Sequence, residues 1–152
     1  MIGLLQRVAR AGVEVDGDTV GEIGPGLLVL LGVARGDSTR EADRLLERIA
    51  TYRIFDDADG RMNVSLADSG GALLVVSQFT LAADTHKGTR PGFSTAAAPA
   101  DGERLYDYFV AAARRRIGTV ATGRFGARMK VTLINDGPVT FWLEVTPGGS
   151  AD

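Results

Sequence analysis

Two short segments carry most of the groups in this chain that could do chemistry. Ser77-Gln78-Phe79-Thr80-Leu81 closes an apolar run that begins at Ala72, and Asn135-Asp136-Gly137-Pro138-Val139-Thr140 sets a Gly-Pro corner between two strand-like runs. The first segment offers two hydroxyls, an amide and, where a strand gives way to a loop, main-chain N–H groups. Gln78, Phe79 and Thr80 are candidate donors to an oxyanion, and losing one such donor costs about 10²–10³ in rate. Ser77 and Thr80 can equally serve only to satisfy strand edges. At the second segment, X-Pro bonds are cis in about 5–6% of cases, so the residues alone read as a trans hairpin corner. A cis bond would orient the Gly137 and Pro138 carbonyls as a trans corner cannot. Rigid carbonyls can refuse a side chain of one handedness and leave room for the other.

Conventional catalysts are scarce. The chain has one histidine, His86, and no cysteine. A Ser-His-Asp arrangement would need Ser77 or Thr80 to reach His86 with Asp84 behind it. Disulfides, thiolate metal sites and Cys nucleophiles are excluded, and a single histidine leaves too few usual ligands for zinc. The acidic turn at residues 56–60 superficially suggests a calcium loop. With Gly60 at loop position six, however, Phe55 stands first and Leu66 last, where carboxylates are needed. There is no P-loop and no dinucleotide fingerprint. No metal and no cofactor are expected.

These groups need elements to position them. A chain of 152 residues, 45% hydrophobic and 24% charged with mean hydropathy +0.05, fits one globular domain. It has neither a basic, apolar leader nor an apolar run of about 20 residues, so a cytoplasmic protein without membrane contact is expected. Net charge −2 and pI near 5.4 argue against nonspecific coating of nucleic acid. Yet no acidic residue lies between Asp107 and Asp136, while Arg114, Arg115, Arg116, Arg124, Arg128 and Lys130 all do. Such a local basic surface suits one phosphate-bearing ligand. Arg114, Arg115 and Arg116 read equally as a helix end complementing its dipole.

Residues 1–8 predict a strand, and 13–15 with 19–23 a hairpin about Asp16-Gly17-Asp18. The uniformly apolar run 27–33 predicts a strand buried on both faces. Ser38 and Glu41 form a capping box before Ala42, Leu45, Leu46 and Ile49 at helical spacing, with the helix ending near Tyr52. A short strand at Ile54-Phe55, a central strand over 71–81 and a polar loop over 82–93 follow. Residues 101–116 form a second helix with Leu105, Phe109, Val110 and Ala113 buried. A short strand at Val120-Ala121 precedes two runs, 128–134 and 139–145, paired across the Gly-Pro corner. The expected fold is a single α/β domain, residues 1–146, with a large mixed sheet (barrel-like or two packed sheets) flanked by two main helices. Residues 147–152 form a tail.

Taken in order, Gln6-Arg7-Val8, the 26–33 run, Arg53-Ile54-Phe55, Met62-Asn63 with Ser65-Leu66, and the 77–81 segment resemble the D-aminoacyl-tRNA deacylases. So do Ala83-Asp84, Lys87-Gly88 with Arg90-Pro91 and Phe93, Phe125-Gly126-Ala127 with Met129, and the 135–140 segment. The similarity covers nearly the whole chain. It implies an ester hydrolase that releases D-amino acids, and glycine, from tRNA without a cofactor. It also implies a homodimer in which a cis Gly137-Pro138 corner enters the partner's pocket and excludes L-amino acids. Ser77, Gln78, Phe79 and Thr80 would line that pocket, Phe125 and Met129 would lie near the adenosine, and Arg7 would hold the corner. The ribose 2′-hydroxyl of the tRNA would assist, with Thr80 as nucleophile or binding group. Ala82, His86 and Thr89 stand where the family most often has Tyr, Lys and Asn. Lys87, Arg90, Arg114, Arg115, Arg124, Arg128 and Lys130 are the candidate phosphate contacts. The alternatives are a small-molecule esterase using Thr80 or Ser77 with His86, and a noncatalytic RNA-binding module.

Overall fold

The computed structural model describes residues 1–149. Eight strands are present: β1 (Ile2–Val15), β2 (Asp18–Ile23), β3 (Gly26–Gly32), β4 (Arg53–Asp56), β5 (Met62–Ser65), β6 (Ala72–Ser77), β7 (Val120–Thr122) and β8 (Lys130–Glu144). The helices are α1 (Thr39–Thr51), the single turn α2 (Leu66–Ser69) and α3 (Pro99–Arg116), with a 3₁₀ turn at Phe79–Ala82. The mixed sheet runs β2-β1-β3-β6-β7, with β8 also on β1, while β4 and β5 form a separate ribbon.

The expected α/β fold with two main helices is observed, and several local signals act as read. Asp16 and Gly17 both take positive φ (52° and 84°), the type I′ geometry that matches strand twist. The Ser38 backbone N–H donates to Glu41 Oε2 at 2.8 Å and its hydroxyl to the same oxygen at 2.6 Å. That hydroxyl holds the Glu41 carboxyl below its usual range. The chain leaves α1 at Tyr52.

Three boundaries differ from the sequence reading. The runs 1–8 and 13–15 are one strand of 14 residues, because β8 pairs with both halves of β1. For the same reason 128–134 and 139–145 do not pair with each other. They are the two arms of β8, a single long strand on β1. The third difference lies at β6, which ends at Ser77 instead of Leu81 because its partner β3 ends at Gly32.

Alternation along the two parallel central strands builds two cores. Leu27, Val29 and Leu31 of β3, with Leu73 and Val75 of β6, face α1 and α3. Leu28, Leu74 and Val76 face the opposite way, onto Val8, Ala11, Val13 and Ile23. This second cluster is the interior of a nearly closed barrel. Its seam lies between β2 and β7, where a Cβ on Gly21 would sit 2.2 Å from the Thr122 carbonyl oxygen. Gly21→Ala should therefore force this seam apart and cost about 1–3 kcal/mol, as overpacking does. Gly24→Ala, with nothing within 4 Å, should change the urea midpoint little; equal effects at the two positions would refute a close-packed seam.

Candidate active site

The pocket begins where β6 stops. Ser77 pairs with Leu31, and the next N–H, that of Gln78, donates to Leu31 O at 2.8 Å. Gln78 (φ −145°, ψ 79°) then leaves the sheet and the chain winds into its 3₁₀ turn, with Leu81 N–H donating to Gln78 O at 3.2 Å. The first N–H groups of such a turn have no partner inside it. Among the described residues, neither Phe79 N–H nor Thr80 N–H has an acceptor. Of the three expected donors, Gln78 is already engaged, while Phe79 and Thr80 are available. Gln78 contributes instead through its side chain, whose Nε2 donates to Thr80 Oγ1.

Gln78 and Phe79 line a cavity of about 470 Å³, while Thr80, expected in that lining, lies one residue beyond it, where the 3₁₀ turn carries the chain away. Val76, Ser77, Gln78 and Phe79 form one wall, Gly102 and Tyr106 of α3 a second, and Phe125, Met129 and Val131 a third. The lining carries no carboxylate, imidazole, ammonium or guanidinium. Tyr106 is its most buried polar group. Its hydroxyl donates to Val75 O at 2.8 Å, and its ring packs on Phe125 with centroids 5.8 Å apart. Gly123 leaves room for Met129, whose sulfur would lie 2.6 Å from a Cβ there. Sequence reading found Ser77, Phe125 and Met129 but missed Tyr106 and Gly102. The signal was their i, i+4 spacing beside the buried stripe of α3.

His86 is not assembled with Thr80 or Ser77. Its Nδ1 lies 2.7 Å from Asp84 Oδ1, and its side chain is 92% exposed. The His86 backbone N–H, followed by its ring, holds the Asp84 carboxyl below its usual range. The acidic turn is likewise internally satisfied. Asp57 accepts from Asp59 N–H, Arg61 N–H and Asn63 Nδ2 at 2.9–3.0 Å.

The Gly-Pro corner sits elsewhere. Gln6 pairs with Thr140 and Val8 with Asn135, so two steps on β1 face five on β8, and residues 136–139 are thrown out of the ladder. The Gly137-Pro138 bond is cis, contrary to the reading from residues alone and in agreement with the resemblance. Gly137 takes φ +134°, and a Cβ there would lie 2.6 Å from Val139 Cγ2. Asn135 Nδ2 staples the base of the corner to Arg7 O (2.9 Å) and Val139 O (3.0 Å). Arg7, only 11% exposed, donates through Nε to Asp136 O (3.1 Å) and through NH1 to Ile54 O (2.9 Å) and Asp56 Oδ1 (3.2 Å). Gly137 and Pro138 are exposed. Neither lines this chain's own pocket. Along the sheet, Ser77 is level with Gly3 through Leu31 while the corner is level with Val8. Five residues of strand separate those levels, roughly 17 Å.

The candidate phosphate contacts are all exposed. Arg124 and Arg128 flank the pocket wall at Phe125, Gly126 and Ala127, and Lys130 opens β8 opposite Glu14. Arg114, Arg115 and Arg116 occupy the last turn of α3, with Arg114 roughly 12 Å beyond Tyr106 at 1.5 Å per residue. Lys87 and Arg90 lie in the loop tied off by Asp84 and Gly92.

Burial raises the Tyr106 hydroxyl to about 12, above the unfolded value of about 10. The folded state thus binds more protons between those values. Its contribution to stability is complete below pH 10 and is lost as pH rises toward 12. Urea midpoints from pH 9 upward should fall less steeply for Tyr106→Phe than for the parent. The variant should lose about 1 kcal/mol at neutral pH, the usual worth of one hydrogen bond; parallel alkaline profiles would contradict this.

Residues 4–144 match the family model described as D-Tyr-tRNA(Tyr) deacylase. A D-aminoacyl-tRNA deacylase of Ralstonia nicotianae is 61% identical, covering 97% of this chain and 92% of its own. A namesake from Escherichia coli O81 is 59% identical, covering 95% and 100%. Among solved structures, the c-Myc DNA unwinding element binding protein superposes with a TM-score of 0.92 at 37% identity, covering 97% of this chain and 100% of its own. A probable eukaryotic D-amino acid tRNA deacylase shares the fold at TM-score 0.80 and 19% identity, covering 95% and 98%. A family model matched over residues 4–144, with relatives about 60% identical over nearly the whole chain, places it in the D-aminoacyl-tRNA deacylase family, as an ester hydrolase.

Proposed function

We propose that this enzyme hydrolyses the ester of D-aminoacyl-tRNA, and of glycyl-tRNA, in the cytoplasm, with backbone groups as its main catalysts. The observation that carries this reading is the pair of free N–H groups, Phe79 and Thr80, beside an apolar pocket whose lining carries no carboxylate, imidazole, ammonium or guanidinium. Phe79 and Thr80 N–H stabilise the oxyanion that forms as water adds to the ester carbonyl. The ribose 2′-hydroxyl relays the proton from that water to the departing 3′-oxygen, so the substrate supplies the group that the pocket lacks. Thr80's hydroxyl, held by Gln78, positions substrate. Phe125 and Met129 pack the terminal adenosine. Ser77 closes the inner wall.

Handedness is read by a second copy. The Gly137-Pro138 corner is exposed and outside its own pocket, braced by Arg7, and β8 pairs on one edge only. Val131, Ile134 and Trp142 on β8 are exposed. Large exposed apolar side chains along an unpaired edge suit a homodimer interface. In that dimer the corner carbonyls enter the partner's pocket and occupy the space an L side chain would need. Backbone reads configuration, so many D side chains pass. Arg124, Arg128 and Lys130 near the pocket, and Lys87, Arg90, Arg114 and Arg115 farther out, contact tRNA phosphates without reading sequence.

Release of tyrosine from D-tyrosyl-tRNA, with L-tyrosyl-tRNA left intact, is the expected result; equal rates, or no release from either, would overturn the reading. Phe79→Pro tests the donors. Proline suits the first position of a helical turn and removes the N–H, and Gln78 already has the non-helical backbone that proline requires before it. The expected loss in kcat is about 10²–10³ beyond that of Phe79→Ala. A Pro variant no slower than the Ala variant would exclude the Phe79 N–H.

A further inference from the structure

A second groove of about 580 Å³ adjoins the pocket and shares Phe79, Ala97 and Pro99 with it. Phe79 is 59% exposed and Phe93 44% exposed, and their rings meet at 5.1 Å with a tilt of 52°. Water-facing phenylalanines in contact with each other are not explained by the core. Arg35 and Arg104 line the same groove. Among the described residues the Arg35 guanidinium has no acceptor, and Arg104 reaches only Asp101, at 3.8 Å. Asp37, the other acid of the groove, is neutralised: it accepts from the Met1 ammonium at 2.8 Å and from Ala34 N–H at 2.7 Å.

We infer that this groove binds the nucleotide that precedes the terminal adenosine of the tRNA 3′ end. The base stacks on the Phe79 and Phe93 rings, and the linking phosphate lies toward Arg35 and Arg104. The inference rests on the reading above, that the pocket takes an aminoacyl-adenosine. The shared Phe79 wall places the groove one step along the strand from that pocket. Aromatic faces with adjacent cations are how single-stranded nucleic acid is held, and stacking tolerates any base. That tolerance suits an enzyme whose substrates differ in body but share a 3′ terminus. Phe79 would then act twice, its N–H toward the ester and its ring toward the neighbouring base.

The test compares the D-tyrosyl ester of adenosine with the D-tyrosyl ester of cytidylyl-(3′→5′)-adenosine. The dinucleotide ester should have a kcat/KM about tenfold higher, within the range seen for one stacked base. Phe93→Ala should collapse that ratio toward one, while Phe93→Tyr, which keeps the ring, should preserve it. Arg35→Gln should reduce the slope of log affinity against log salt for the dinucleotide by about 0.7, one single-strand phosphate contact. Equal kcat/KM for the two esters in the parent, or a ratio unmoved by Phe93→Ala, would overturn the inference. If neither ester is hydrolysed, D-tyrosyl-tRNA decides the proposed activity: its survival sinks that reading, and its cleavage leaves it standing. The groove is then judged by equilibrium binding of uncharged cytidylyl-adenosine against adenosine: tighter dinucleotide binding lost in Phe93→Ala supports it, and equal binding refutes it.

Discussion

The hydrogen-bond ladder of β1 is the interaction on which the rest of the structure depends. This one strand pairs with β3 over its first half, β2 over its second and β8 along nearly all of it. Through β3 it fixes the level at which β6 must stop, and so where Phe79 and Thr80 turn out of the sheet. Through β8 its register slip expels the Gly-Pro corner. Arg7, on the same strand, braces that corner from below. The two functional segments are far apart in sequence and in space, yet both are set by the pairing of a single strand.

Pocket and corner also share a chemical logic. An apolar pocket strengthens whatever hydrogen bonds form within it, so the proposed pair of N–H donors needs no ionisable catalyst beside it. At the corner, a guanidinium's fixed fork can hold two carbonyls at once, as an ammonium on a flexible stem cannot. Arg7 uses that fork on Asp136 and Ile54. Neither device depends on a side-chain pKa near neutrality, which fits a chain whose one histidine points into solvent.

Much of the fold was legible because its signals are local. The Asp16-Gly17 turn, the Ser38–Glu41 box and the stripe of α3 each need only neighbouring residues. The misread places are those where distant pairing prevails. Phe79 and Leu81 continue an alternating strand pattern, but β3 has ended and offers no further partner. Gly137-Pro138 announces a reversal, yet β1 is long enough to hold both flanks in one direction. Tyr106 and Gly102 give no sign of a site in the sequence, because their spacing is only that of neighbours on one helix face. Only the packing of Phe125 against that face reveals the pocket wall.

The central claim is that configuration is judged by one copy's corner inside the other copy's pocket, and mixed dimers test it most directly. Arg7→Met subunits keep their donors but lose the brace, and alone they should hydrolyse L-tyrosyl-tRNA as well as the D form. Phe79→Pro subunits lack a donor but carry an intact corner. When the two are refolded together with the proline subunit in excess, L-tyrosyl-tRNA hydrolysis per Arg7→Met subunit should fall to the level of the parent enzyme while D-tyrosyl-tRNA is still cleaved. An L rate that does not respond to the partner would contradict the account.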